Sequence, residues 1–205
     1  MGVWERGFAS VYDRINAAME AAFMGRRRAA MIGPLEGRIL EIGAGTGANL
    51  AHYQRAAQVV CAEPSAPMRR RLAPKIAAAA VPIEVHDAVG ESLPFDDASF
   101  DAVVSTLVLC TVRDVEATLA EVRRVLRPDG RLLFIEHGGG AAGRKGRWQQ
   151  RLDPIWTKAA CGCHLTRDAR RNLEAAGFSL NEFEEFTPKR TPPLLVPFAQ
   201  GVATP

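Results

Sequence analysis

Between Arg38 and His137, five short apolar runs alternate with polar or amphipathic stretches, and this alternation constrains the fold more than any other feature of the chain. The runs are RILEIG, AQVVCAE, VPIEVHD, SFDAVVSTLVL and RLLFIEH. Their continuous apolar character is that of strands buried on both faces. A helix is expected to open after Gly47 and another near Pro67. Val112, Val115, Leu119, Val122 and Leu126 recur at three and four residues, and RPDG stops that amphipathic helix with proline and glycine. Strands and helices alternating at this pace form a parallel sheet covered on both faces. FSLNEFEEF and PLLVPFAQGVA read as two closing strands, antiparallel at one edge. The expected class is therefore α/β, a doubly wound, mostly parallel seven-stranded sheet. The Gly-rich segment 138–165 reads as irregular, and Thr166 as the cap of a helix ending at Gly177. Upstream, Phe8, Val11, Tyr12, Ile15, Met19, Ala22 and Phe23 make one apolar helical stripe. That stripe predicts an N-terminal helical flap over residues 1–30, on a single domain spanning 31–205.

A chain of 205 residues, 47% hydrophobic, suffices for one sizeable core. Its formal charge of +3 is too mild to argue for nucleic acid. Basic runs at Arg26–Arg28, Arg69–Arg71 and Arg144–Arg151 read as solvated faces, with an anionic bilayer surface as the other reading for the first. Cys61, Cys110, Cys161 and Cys163 are too few and too irregularly spaced for a disulfide framework, which favours a reducing cytoplasm. No stretch approaches the roughly 18 apolar residues of a membrane span.

The first run leads into Gly43-Ala44-Gly45-Thr46-Gly47, and Glu63 closes the second run, twenty residues after Gly43. A strand, a bare-backbone turn and a helix make a binding loop at the carboxyl end of such a sheet. The G-x-G-x-G spacing does not extend to the G-x-G-x-x-G of dinucleotide sites. A carboxylate at Glu63 suits ribose hydroxyls. Glu41, just before the first glycine, sets negative charge near the ligand, which opposes a pyrophosphate and suits a sulfonium or ammonium. S-adenosylmethionine fits that description. A dinucleotide, or a tight turn whose amides Glu41 merely caps, are the other readings of the same residues.

Taken together, LEIGAGTG, CAEPS, LPFDDASFDAVVSTLVL and EVRRVLRPDGRLLFIEH resemble the successive motifs of class I S-adenosylmethionine-dependent methyltransferases, over roughly residues 36–137. STLVLCTV, EHGGG and WQQRLDPIWTKAACGCHLTRDARRNLEAAGF are similar to the small subgroup whose animal members are membrane-associated alkyl thiol methyltransferases. The resemblance implies that Gly43, Gly45 and Gly47, with Ala44, Thr46 and Asn49, line the cofactor's methionine part and ribose. It implies ribose contacts for Glu63, a turn shaped by Pro64 and Ser65, and Met68 packed on the adenine. The backbone of Val89–Gly90, with Glu91, would meet the adenine edge, Asp87 lying two residues outside that register. Ser105, Thr106 and Leu107 would touch the methionine moiety, and Tyr12 would fold over the cofactor. Membrane residence does not transfer, because the N-terminal stripe is amphipathic and not an apolar anchor.

On the acceptor side, His137 ends the fifth run and is the candidate catalytic group. Asp153, Trp156 and His164 are candidate substrate contacts. The Cys-Gly-Cys-His run offers soft ligands, but no second ligand pair is visible in the spacing, so no metal site is expected. The expected activity is methyl transfer to a small, rather apolar acceptor, best a thiol. Alternatives are N-methylation of an amine or phospholipid headgroup at a membrane surface, or a module that binds the cofactor without turnover.

Overall fold

The computed structural model describes residues 17–137, 143–189 and 197–205. Tyr12 and the first half of the expected flap lie outside the described residues. A π-helical turn, Glu20–Met24, runs directly into helix α1, Gly25–Ile32. The alternating part then follows as β1 (Glu36–Ile42), β2 (Arg55–Ala62), α2 (Ala66–Ala77), β3 (Ile83–His86), β4 (Phe100–Thr106), α3 (Val115–Val125) and β5 (Leu126–His137). Helices α4 (Gly143–Ala159) and α5 (Ala169–Ala175) precede β6 (Ser179–Phe186) and β7 (Phe198–Thr204).

The seven strands lie in the order β3-β2-β1-β4-β5-β7-β6. The first five are mutually parallel. β7 inserts antiparallel between β5 and β6, as the two closing runs led one to expect. Side chains along a strand alternate between faces, and the core divides accordingly. Leu40, Val60, Val103 and Phe134 pack with Leu119, Val122 and Leu173 on one face. Ile39, Val59, Val104 and Ile135 pack with Met24, Met31, Ile32 and Leu72 on the other. Each fully buried side chain of this size contributes about 1.5–3 kcal/mol before chain entropy is charged against it.

Several local expectations are corrected. Only a 3-10 turn, Leu50–His52, follows the glycine loop where a helix was expected. Segment 138–165 is not irregular throughout, because α4 begins at Gly143, just past the clustered glycines, and continues through Pro154. Helix α5 is capped by Asp168, whose side chain accepts from the Arg171 amide, and not by Thr166. The domain boundary at residue 30 cuts α1, whose Met31 and Ile32 belong to the same core as β1.

Candidate active site

Strand order reverses between β1 and β4, so the loops leaving these two strands flank the crevice at the carboxyl edge of the sheet. Gly43, Gly45 and Gly47 all hold positive φ, at 58°, 58° and 78°. The three glycines serve different ends. A Cβ on Gly43 would stand 2.6 Å from Val108, and one on Gly47 would stand 2.5 Å from Leu72. Those two positions let the loop pack against the body. A Cβ on Gly45 would meet only the Gly43 carbonyl oxygen at 3.8 Å, and otherwise open space. The bare face of the loop is at Gly45.

Glu63 fastens that face. Its Oε2 accepts from the Gly45 amide and its Oε1 from the Ser65 amide, both at 2.8 Å. The carboxylate is buried, and desolvation pushes its pKa up against those two amide bonds. A carboxylate offers about four acceptor positions. With one taken on each oxygen, Glu63 keeps capacity for two further donors. Pro64 is exposed, and Ser65 and Met68 are half-buried along the start of α2. Across the turn, Val89 is 44% exposed and bridges to Ser92, while Gly90 packs on Thr118. Glu91 accepts from the Arg113 and Asp114 amides at 2.7 and 3.2 Å, which ties its carboxylate to the entrance of α3. Asp87 is exposed and paired with Arg69.

Beneath the loop lies a polar network that the sequence did not disclose. Asn49 donates to Glu41 Oε1 and to Thr106 Oγ1, each at 3.0 Å. Arg28 reaches in from α1 and donates through Nη1 to Asn49 Oδ1 at 2.5 Å and Thr106 Oγ1 at 2.7 Å. Its Nε donates to Glu20 Oε1 at 3.0 Å. Reading Arg26–Arg28 as one solvated run is thus corrected: Arg28 is 5% exposed, and Arg27 pairs with Glu184 and stacks on Phe186. The missed signal was register, since Arg28 occupies an inward position in the stripe Met24, Arg28, Met31, Ile32.

Glu41 is also corrected. It is 2% exposed and bonded to Asn49, so it is a buried group under the loop and not a bare charge offered to a ligand. Desolvation raises its pKa to about 7, against the lowering effects of Tyr53, Arg28 and Asn49. A carboxyl whose pKa is higher in the folded state contributes stability below its unfolded value near 4.5, and loses it as pH rises through about 7. Wild type minus Glu41→Gln stability should therefore fall by on the order of 3 kcal/mol between pH 4.5 and 7.5. Urea titrations of both proteins across that range check it, and parallel curves would place the charge elsewhere.

The residues expected on the acceptor side lie around the turn after β4. Leu107 sits in left-handed backbone at φ 60°, and such strained positions concentrate at functional sites. Glu136, buried at the end of β5, accepts from Ser105 Oγ at 3.0 Å and from the Val108 and Leu109 amides at 2.9 Å. It fixes the course of residues 108–110 and was not singled out from the sequence. His137 is 8% exposed, with Nε2 3.0 Å from Cys163 Sγ. Its Nε2 is thus engaged within the protein, while Nδ1 is buried and has no partner among the described residues. Burial lowers the His137 pKa, but contact with the Cys163 sulfur outweighs it and the net shift is upward.

Trp156 Nε1 also donates to Cys163 Sγ, at 3.3 Å. Asp153 and His164 pair with each other, Nδ1 to Oδ2 at 2.8 Å, and Asp153 Oδ1 accepts from the Leu165 amide. These two fasten the end of α4 to the turn that follows it. Of the three residues expected at the substrate, Trp156 therefore touches Cys163, while Asp153 and His164 engage each other in the adjoining turn. Cys110 joins Cys163 from the other side.

Comparison with known proteins agrees with this architecture. Residues 40–134 match a methyltransferase domain family. The chain is 38% identical to human (Homo sapiens) thiol S-methyltransferase TMT1A over 169 residues, 80% of this chain and 69% of that protein. It is 38% identical to thiol S-methyltransferase TMT1B of Rattus norvegicus over 151 residues, 71% of this chain and 62% of the relative. The chain thus spans somewhat under or over two thirds of these relatives' length. A crystal structure from Thermotoga maritima, described as a methyltransferase dependent on S-adenosylmethionine and possibly acting on histamine, superposes with a TM-score of 0.70. The two are 22% identical, over 100% of this chain and 99% of that one.

Proposed function

This chain belongs to the class I S-adenosylmethionine-dependent methyltransferases, and we propose that it transfers the donor's methyl group to the sulfur of a small, rather apolar thiol. The observation that carries the reading is the loop itself. Gly45 faces open space while its amide is held on Glu63, whose carboxylate retains acceptor capacity for two more donors. A ribose diol supplies those two donors. When bound, S-adenosylmethionine supplies an electrophilic methyl group on a sulfonium, open to in-line displacement.

The chain's own residues would orient and desolvate. Gly43–Gly47 and Glu63 hold the sugar side, Pro64, Ser65 and Met68 border the base, and the Val89–Gly90 backbone meets its edge. Thr106, Leu107 and Asn49 lie where the methionine part would rest, with Arg28 as the fixed cation behind them. Positioning of this kind is worth about 7–11 kcal/mol of barrier. A thiol with a pKa near about 8.5 is already partly ionised at neutral pH, so it needs little help from a base, unlike a phenol. The names of the curated relatives support sulfur as the acceptor atom.

The test is product analysis by mass spectrometry after incubation with S-adenosylmethionine and matched panels of alkyl thiols, amines and phenols. S-methylated thiols are expected. Methylation of amines or phenols with thiols untouched would overturn the reading. Glu63→Ala should weaken cofactor binding by about 10- to 150-fold, the equivalent of losing charge-assisted hydrogen bonds of ~1.5–3 kcal/mol. Calorimetric titration with S-adenosylhomocysteine measures this, and an unchanged dissociation constant would remove Glu63 from the site.

The membrane alternative has less to draw on. Arg27 and Arg28 are engaged within the protein, which leaves Arg26 as the exposed member of that run. Among the described residues, no helix is long and apolar enough to cross a membrane.

A further inference from the structure

We propose that Cys110, His137 and Cys163 form a three-ligand site for a thiophilic divalent cation of the zinc class. One potential ligand atom from each residue lies within 4.8 Å of the other two, and all three residues are buried. They come from three separate elements: the turn after β4, the last residue of β5 and the turn after α4. Two sulfurs and an imidazole are a borderline-soft donor set. Such a set suits zinc and disfavours magnesium or calcium, which take oxygen ligands.

The convergence is enforced by the backbone. Glu136 holds the amides of Val108 and Leu109, which sets the position of Cys110. The His164 amide donates to the Cys110 carbonyl at 2.8 Å, and Arg167 Nη1 donates to the Leu109 carbonyl at 2.7 Å. These two bonds lock the Cys163 turn onto the Cys110 turn. Cys161 and Gly162 both adopt left-handed backbone, with φ of 50° and 96°, and the chain reverses there immediately before Cys163. Loose packing of two thiols would require neither device.

Distances to a bound ion are consistent with modest adjustment. Tetrahedral zinc at ~2.3 Å from sulfur and ~2.0–2.1 Å from nitrogen separates those ligands by about 3.6 Å. The present 3.0 Å between His137 Nε2 and Cys163 Sγ would open by about 0.6 Å. With the cation on Nε2 the ring proton resides on Nδ1, which is buried and has no partner among the described residues. Trp156 Nε1, already donating to Cys163 Sγ, serves as the outer hydrogen bond that such thiolates take. Among the described residues the cluster has three ligands, the number typical of sites that keep a fourth position for water or a small ligand. The inference is independent of the methyl acceptor's identity.

The full chain, purified under reducing conditions, loaded with zinc and gel-filtered, should retain about one zinc per chain by elemental analysis. Loading with Co²⁺ instead should give sulfur-to-cobalt charge-transfer absorption with the intense visible bands of tetrahedral geometry. Cys163→Ser and His137→Gln should each weaken Co²⁺ binding at least about 100-fold, more than the 10–100-fold typical of outer partners alone. Cys61→Ala, altering a buried thiol of β2 outside the cluster, should bind as wild type does. Wild type that retains no stoichiometric zinc, or a cobalt spectrum without sulfur charge transfer, would overturn the proposal. So would unchanged Co²⁺ affinity in folded Cys163→Ser. If that variant fails to fold, the wild-type cobalt spectrum decides alone.

Discussion

Gly45→Val should abolish S-adenosylhomocysteine binding while leaving a folded protein. The position is at φ 58°, where a β-branched side chain costs roughly 1–3 kcal/mol of backbone strain. That is a tolerable fraction of a typical domain's 5–15 kcal/mol. No side chain stands within 4 Å of the added Cβ, so the Cβ itself meets no steric obstacle. The new methyl groups would instead fill the space in which the donor must lie. Calorimetry should therefore show at least a 100-fold loss of affinity, with near-native circular dichroism and a modest fall in melting temperature. Normal binding by this variant would mean that the loop is not the cofactor site. The contrast with Gly43 sharpens the test. There an added Cβ strikes Val108, so Gly43→Val should lose stability as well as binding.

The second large effect concerns Arg28. Replacing it by methionine preserves much of the apolar stem but leaves Asn49, Thr106 and Glu20 without their cation. Removing one partner of a buried ion pair costs about 3–5 kcal/mol. Glu20 is partly exposed and can be re-solvated, which favours the lower end, about 3 kcal/mol. For a chain of this size that lowers the melting temperature by about 6–12 °C. Arg28→Lys should recover only part of it, because an ammonium cannot reproduce the guanidinium's fork of donors. Differential scanning calorimetry of the two variants checks this. A methionine variant that melts with wild type would show the network to be dispensable.

The contrast between loop and network shows what a sequence of this kind discloses. Strands β1, β2, β4 and β5 were legible because burial on both faces writes a continuous apolar run. The glycine loop was legible because left-handed backbone admits few residues other than glycine. That Glu63 would lie beside the loop, where it accepts from the Gly45 amide, followed from its distance to Gly43, which reflects the fixed length of a strand-turn-strand unit. Arg28 was hidden because a charge run carries no mark of which member points inward, although the spacing from Met24 to Ile32 held that information. Glu136 and the meeting of Cys110 with Cys163 depend on which strand ends lie side by side, a property of tertiary structure. Helix α4 was missed because the glycines at 138–143 outweighed the helix-forming residues after them. The absent helix after Gly47 was an over-extension of the strand-turn-helix pattern.

The arrangement also suggests why the loop and α1 are built together. Asn49 and Thr106 belong to the loop side and to β4, yet both are fixed by a side chain from α1. The crevice floor is thus a joint product of three elements, and its geometry does not rest on the glycines alone. Preorganisation of that kind is what an in-line displacement requires.

The most direct measurement is a crystal structure of the chain with S-adenosylhomocysteine. The account predicts the ligand's backbone-facing edge against Gly45 and both ribose hydroxyls within hydrogen-bond distance of the Glu63 carboxylate. Density for the ligand away from the Gly43–Gly47 loop, or a ribose that leaves Glu63 untouched, would contradict it.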